Sequence, residues 1–113
     1  MKPRAIFHGE VVLFEVKEIP NGSKKVEVKD DFLVIGESET HGNDHRVAVK
    51  DKLQVRFYED EHGTLYMENL CKTDVYCPNK TRHATTTIPE TRWRIGHAQQ
   101  VDHITEQKER VRD

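Results

Sequence analysis

Apolar and polar positions alternate along nearly the whole chain with the period of a β-strand. Ile6-Phe7 and then Val11 to Val16 lead in, with Val12, Phe14 and Val16 sharing one face. Ile19-Pro20-Asn21-Gly22-Ser23 breaks this strand, and Asn-Gly is a strong turn signal because both residues tolerate positive φ. Val26 and Val28 alternate with Lys25, Glu27 and Lys29, as in a half-buried strand, and Asp30-Asp31 turns the chain again. Phe32-Leu33-Val34-Ile35 is a continuous apolar run, short enough for a strand buried on both faces. Val47 and Val49, then Leu53, Val55 and Phe57, alternate with polar neighbours. Glu59-Asp60-Glu61-His62-Gly63 reads as a hairpin loop closed by glycine, from which Leu65 and Met67 return on one face. Val75 and Cys77 mark a short strand stopped by Pro78. Thr85-Thr86-Thr87-Ile88 is an extended β-branched run ended by Pro89, and Arg92-Trp93-Arg94-Ile95 alternates with Trp93 and Ile95 inward.

Turn signals recur about every 8–12 residues, the spacing of a sandwich or barrel. The pattern therefore predicts an all-β protein, a small antiparallel β-barrel or β-sandwich, with a short C-terminal helix. The helix is expected over residues 102–112, capped by Asp102 and carrying only Ile104 and Val111 as a thin apolar stripe. The 113 residues are expected to form one domain, with a β core over about 5–100.

Composition adjusts this picture in three ways. Hydrophobic residues make up 35% of the chain, so the core is lean and a wet sheet face or a homo-oligomer would suit it. Charged residues make up 34% but nearly cancel at net −2, which removes the broad basic footprint that nucleic-acid binding leans on. A local argument survives in Arg92, Trp93, Arg94 and the cations Lys108, Arg110 and Arg112, but Trp93 reads as inward and Glu106, Glu109 and Asp113 offset the tail, so nucleic acid is not favoured. No apolar stretch is long enough for an export signal or a membrane span, and two cysteines are too few for a disulfide framework, so a cytoplasmic protein with reduced thiols is expected.

Candidate chemistry concentrates between the apolar runs ending at Ile35 and starting at Val47. Gly36 to Arg46 packs acids, two histidines, an arginine and two glycines into one polar stretch held at both ends by strands. Glu37, Thr40, His41, Asn43, Asp44, His45 and Arg46 are the candidate binding-loop residues. A divalent metal of zinc type is one reading, with His41, His45 and His83 as ligands and Glu37, Asp44 or Cys77 able to complete an N/O/S set. Exposed turn histidines, with Asn43 and Asp44 bonding the backbone, are the plainer reading. Phosphodiester chemistry with Arg46 or Arg82 neutralising charge is a further one, since His83-Ala84-Thr85 matches half of a paired His-x-Thr signature and no second copy follows. Cys71 and Cys77 are not spaced as Cys-x-x-Cys and read as small buried hydrophobes. No glycine-rich phosphate loop is present.

Four stretches also carry a family resemblance: Glu18 to Val26 (EIPNGSKKV), Gly36 to Val47 (GESETHGNDHRV), Gly63 to Asn69 (GTLYMEN) with the later His83, and Ile88 to Ile95 (IPETRWRI). Together with the ending Glu109 to Asp113 (ERVRD), they resemble a family of short proteins encoded by tailed bacteriophages and some bacterial genomes, known mostly as hypothetical proteins with a Gly-Glu and His-Arg loop motif. The chain departs from the family's His-x-His, whose first histidine falls at Asn43 or has moved to His41, and Pro89-Glu90-Thr91 stands where the family reads Pro-Pro-Gly. The resemblance implies a phage or prophage accessory protein in the host cytoplasm and brings no established activity. With no complete catalytic constellation, the leading expectation is a non-enzymatic binding or interaction module whose partner is another protein or a second copy of itself. The alternative is a metal-dependent, cupin-like β-barrel enzyme or phosphodiesterase using the clustered histidines.

Overall fold

The computed structural model describes residues 4–36, 44–78 and 85–97. These form β1 (Ala5–His8), β2 (Val11–Val16), β3 (Lys24–Val26), β4 (Phe32–Gly36), β5 (His45–Ala48), β6 (Val55–Glu59), β7 (Leu65–Asn69), β8 (Thr73–Tyr76), β9 (Thr86–Ile88) and β10 (Arg92–His97). All strand pairs are antiparallel and fall into two sheets. The larger runs β1-β2-β10-β7-β6-β3, and the smaller runs β4-β5-β8-β9. Neither sheet closes on itself, so the barrel alternative is corrected to two stacked open sheets. The expected helix over 102–112 lies outside the described residues. Among the described residues no helix is long and apolar enough to cross a membrane.

The turns follow from local chemistry. β1 and β2 pair with His8 opposite Val11, leaving Gly9-Glu10 as a two-residue loop. Gly9 takes φ 59° and no non-glycine residue among the described ones has positive φ, which is the glycine-first turn that matches strand twist. The β6–β7 hairpin is held by Asp60, whose Oδ1 accepts from the amides of His62 (2.9 Å) and Thr64 (2.8 Å) while Gly63 takes φ 79°. The Asn21-Gly22 signal is also a real turn, closed by Ser23 N–H donating to the Pro20 carbonyl. It does not join partners, however: β2 lies between β1 and β10, and β3 sits at the opposite edge on β6.

The core lies between the sheets. Val11, Leu13, Val55, Phe57, Met67, Trp93 and Ile95 come to it from the larger sheet, and Ile35, Val47, Val75 and Ile88 from the smaller one. Trp93 and Ile95 point inward as their alternation requires. Two expected burial patterns are corrected. Val12, Phe14 and Val16 do share a face, but the core takes Val11 and Leu13, on the other face. Phe32 to Ile35 is not buried on both sides: β4 is an edge strand, Val34 is 38% exposed and only Ile35 of the run is buried. Both runs are apolar on both faces, so period-two reasoning had nothing to choose between. Leu53 is exposed in the turn before β6 rather than continuing the strand.

One buried polar side chain fastens this core. Asn69, 1% exposed, donates through Nδ2 to the carbonyls of Cys71 (3.0 Å) and Pro89 (2.8 Å). Its Oδ1 accepts from the indole N–H of Trp93 (3.1 Å). The end of β7, the start of the β8 segment and the turn into β10 thus share one amide. A second constraint is Gly36, at the end of β4. A Cβ built there would collide with Cγ2 of Val11 across the interface and stand 3.3 Å from Nε2 of His97.

Two substitutions test these points. Asn69→Ala removes the amide donor to the Cys71 and Pro89 carbonyls and leaves the Trp93 indole N–H only its 3.3 Å bond to the Pro89 carbonyl, and is expected to cost about 1–3 kcal/mol in urea unfolding. Asn69→Asp should give no relief, because a carboxylate offers no N–H to those carbonyls. Gly36→Val forces the sheets apart at Val11 and is expected to cost about 1–3 kcal/mol or more, whereas the same change at Gly96, where a Cβ meets only Phe14 at 3.5 Å, should cost less.

Candidate metal centre

Strand register builds the site. In the larger sheet His8 pairs with Val11 and Val11 with His97, so His8, Val11 and His97 form one inward row across β1, β2 and β10. In the smaller sheet Gly36 pairs with His45, and the β5–β8 register, Arg46 with Tyr76, carries on to set Cys77 beside His45. Gly36, His45 and Cys77 are therefore the facing row. Val11 closes against the bare backbone of Gly36, and this lets His8 reach His45 and Cys77 across the interface.

The three side chains meet out of water. His8 is 3% exposed, His45 1% and Cys77 0%. Nδ1 of His8 lies 2.8 Å from Nδ1 of His45, with the two rings nearly perpendicular at 87°, and Sγ of Cys77 lies 3.6 Å from the same His45 nitrogen. One of the two imidazoles must carry its proton on Nδ1 and donate to the other, so at least one of the pair is neutral. Among the described residues this is the one group of three such side chains whose ligand atoms all come within 4.8 Å of each other.

The set is right for a borderline-soft metal. Around tetrahedral zinc, with Zn–N near ~2.05 Å and Zn–S near ~2.3 Å, adjacent nitrogens stand about 3.3 Å apart and a nitrogen and a sulfur about 3.5 Å. The Cys77–His45 separation already matches. The two nitrogens need to open by about half an ångström, exchanging their shared proton for a metal. Two imidazoles and a thiolate suit zinc or copper and not the oxygen-seeking magnesium or calcium.

The neighbours of His45 do something else. Strand alternation turns Asp44 and Arg46 away from it. Arg46 Nε donates to Asp44 Oδ2 at 2.8 Å, and its guanidinium covers the Phe32 ring at 4.2 Å. That hydrogen bond holds the Asp44 carboxyl below its ordinary range and raises Arg46 above its own. Of the candidate binding-loop residues, Asp44 and Arg46 thus pair with each other on the side of the strand away from the His45 side chain. Glu37, Thr40, His41, Asn43 and His83 lie outside the described residues.

Sequence reasoning had named His45 and Cys77 as ligands in different company and had passed over His8 and His97. The signal for His8 was present. Ile6 and His8 alternate on one face, Ile6 packs against the core, and so a histidine follows at a core-facing position beside a turn glycine.

No curated protein and no solved structure matches the chain. One family profile matches residues 7–98, a span that includes His8, His45 and Cys77. The chain therefore belongs to that family, described as Domain of unknown function (DUF8820).

Proposed function

We propose that this chain is a non-enzymatic binding module built around a transition metal of zinc type, held by Nδ1 of His8, Nδ1 of His45 and Sγ of Cys77 between its two sheets. The observation that carries the reading is the convergence of three ligand atoms from strands far apart in the sequence at one buried point. A lone buried histidine is ordinary. Two imidazoles meeting nitrogen to nitrogen beside a thiol, in a protein of lean core, are better accounted for by an ion than by packing. Tetrahedral zinc takes a fourth ligand, for which His41 and His83 are the candidates that the sequence offers.

Burial favours binding over catalysis. A hydrolytic zinc site keeps a position open to water and substrate, whereas structural sites are closed. With all three side chains at 3% exposure or less, the cluster is of the closed kind, and the phosphodiesterase and cupin-like readings have less support. Bound metal would join the sheets and add its binding free energy to the fold.

The expected result is about one zinc per purified, untagged chain by elemental analysis, falling at least tenfold in Cys77→Ser and in His45→Ala. Chelation should lower the melting temperature of the parent protein and leave both variants unmoved. Cobalt-loaded protein should show a thiolate-to-cobalt charge-transfer band that Cys77→Ser abolishes and Cys71→Ser keeps. Parent protein that carries no metal and gains no stability from added zinc, cobalt or copper would sink the reading.

A further inference from the structure

β10 outruns its neighbour in the larger sheet. Arg92 to Ile95 pair with β7, but Gly96 and His97 pair with β2 alone. The step where the β6–β7 hairpin stops short holds a cavity of about 470 Å³. Arg94, His62, His97 and Thr64 supply its polar groups, Phe14 and Leu65 are among its apolar ones, and among the described residues no carboxylate lines it. That is unusual for a chain in which acids outnumber lysine and arginine, 20 to 18. Glu61, next to His62 in sequence, sits 3.4 Å from His62 Nε2 with both side chains largely in water.

Arg94 is the residue that gives the cavity its character. Of the arginines in the described residues, Arg4, Arg46, Arg56 and Arg92 each pair with a carboxylate, on Glu15, Asp44, Glu68 and Glu68. Arg94 has no such partner among the described residues, and its guanidinium rests on the Phe14 ring at 4.9 Å. Stacking on an aromatic face orients the planar fork and leaves its edge N–H groups able to donate, which is the geometry that recognises oxyanions. Gly96 keeps the wall low, since a Cβ there would meet only Phe14.

We propose that this cavity binds a small organic oxyanion, with Arg94 as the anchor for its carboxylate or phosphate and Phe14 and Leu65 against its apolar part. The site uses none of the three metal-ligand candidates, so it stands or falls separately from the metal reading.

The test is a titration of the full-length, 15N-labelled chain with phenyl phosphate, benzoate and inorganic phosphate, followed by amide shifts. Saturable shifts at Gly63, Leu65 and Gly96 are expected with at least one aryl anion, and comparing phenyl phosphate with benzoate identifies the preferred headgroup. Arg94→Gln should weaken that binding about tenfold or more, the loss of one charge-assisted contact, while leaving the melting temperature and metal content unchanged. Arg92→Gln, which removes a cation outside the cavity, should leave affinity within about twofold. Three outcomes would overturn the proposal: no saturable shift with any of the three anions, binding that survives Arg94→Gln, or equal weakening by both variants.

Discussion

The structure depends on one steric permission, the absence of a side chain at Gly36. Stacked sheets ordinarily stand about 10 Å apart, a gap filled by side chains from both. At Gly36 the smaller sheet offers only backbone, and Val11 fills the place a side chain would take. The histidine that flanks Val11 on β1 is then close enough to touch the smaller sheet's own histidine and thiol. His97, on the other side of Val11, comes up against the same glycine and also lines the neighbouring cavity. One missing methyl group thus sets the geometry of the His8, His45 and Cys77 cluster and of one wall of the neighbouring cavity.

The second constraint is polar. A chain with 35% hydrophobic residues cannot bind its layers by apolar area alone to the extent that a richer sequence can. Asn69 compensates by satisfying groups on three segments at once, and Trp93, the largest fully buried side chain, is oriented by it. Such a network is strong only when complete, because each partner left behind is a buried group without water.

Much of this was legible in the sequence, and the gaps have physical causes. A continuous apolar run marked β4 and a β-branched run β9, and alternation located the other strands, since a half-wet strand writes its period into the chain. It could not say which face of Val11 to Val16 is inner, because that run is apolar on both, and it misjudged Phe32 to Ile35 for the same reason. Asn21-Gly22 announced a turn truthfully yet concealed that its flanking strands go to different neighbours, since turn chemistry constrains two residues and not their eventual pairing. His45 was found by local density of polar groups. Cys77 was among the residues offered to complete its set and comes to it through the β5–β8 pairing, but His8 was not, because it lies 37 residues away in sequence and is joined to His45 only by the stacking of two sheets. In the polar crowd around His45, Asp44 and Arg46 are bound to each other on the far face of the strand.

Among the described residues β1 is an edge strand with a single neighbour, and edge strands are where sheets come apart first. Its last residue nonetheless reaches β5 and the segment after β8, and β5 and β8 are the two central strands of the other sheet. Opening of β1 must therefore break a contact anchored in the most enclosed part of the molecule. With an ion in the cluster, the amide protons of this outermost strand would exchange with solvent on the schedule of the central ones, and the periphery of one layer and the middle of the other would melt as a single cooperative unit.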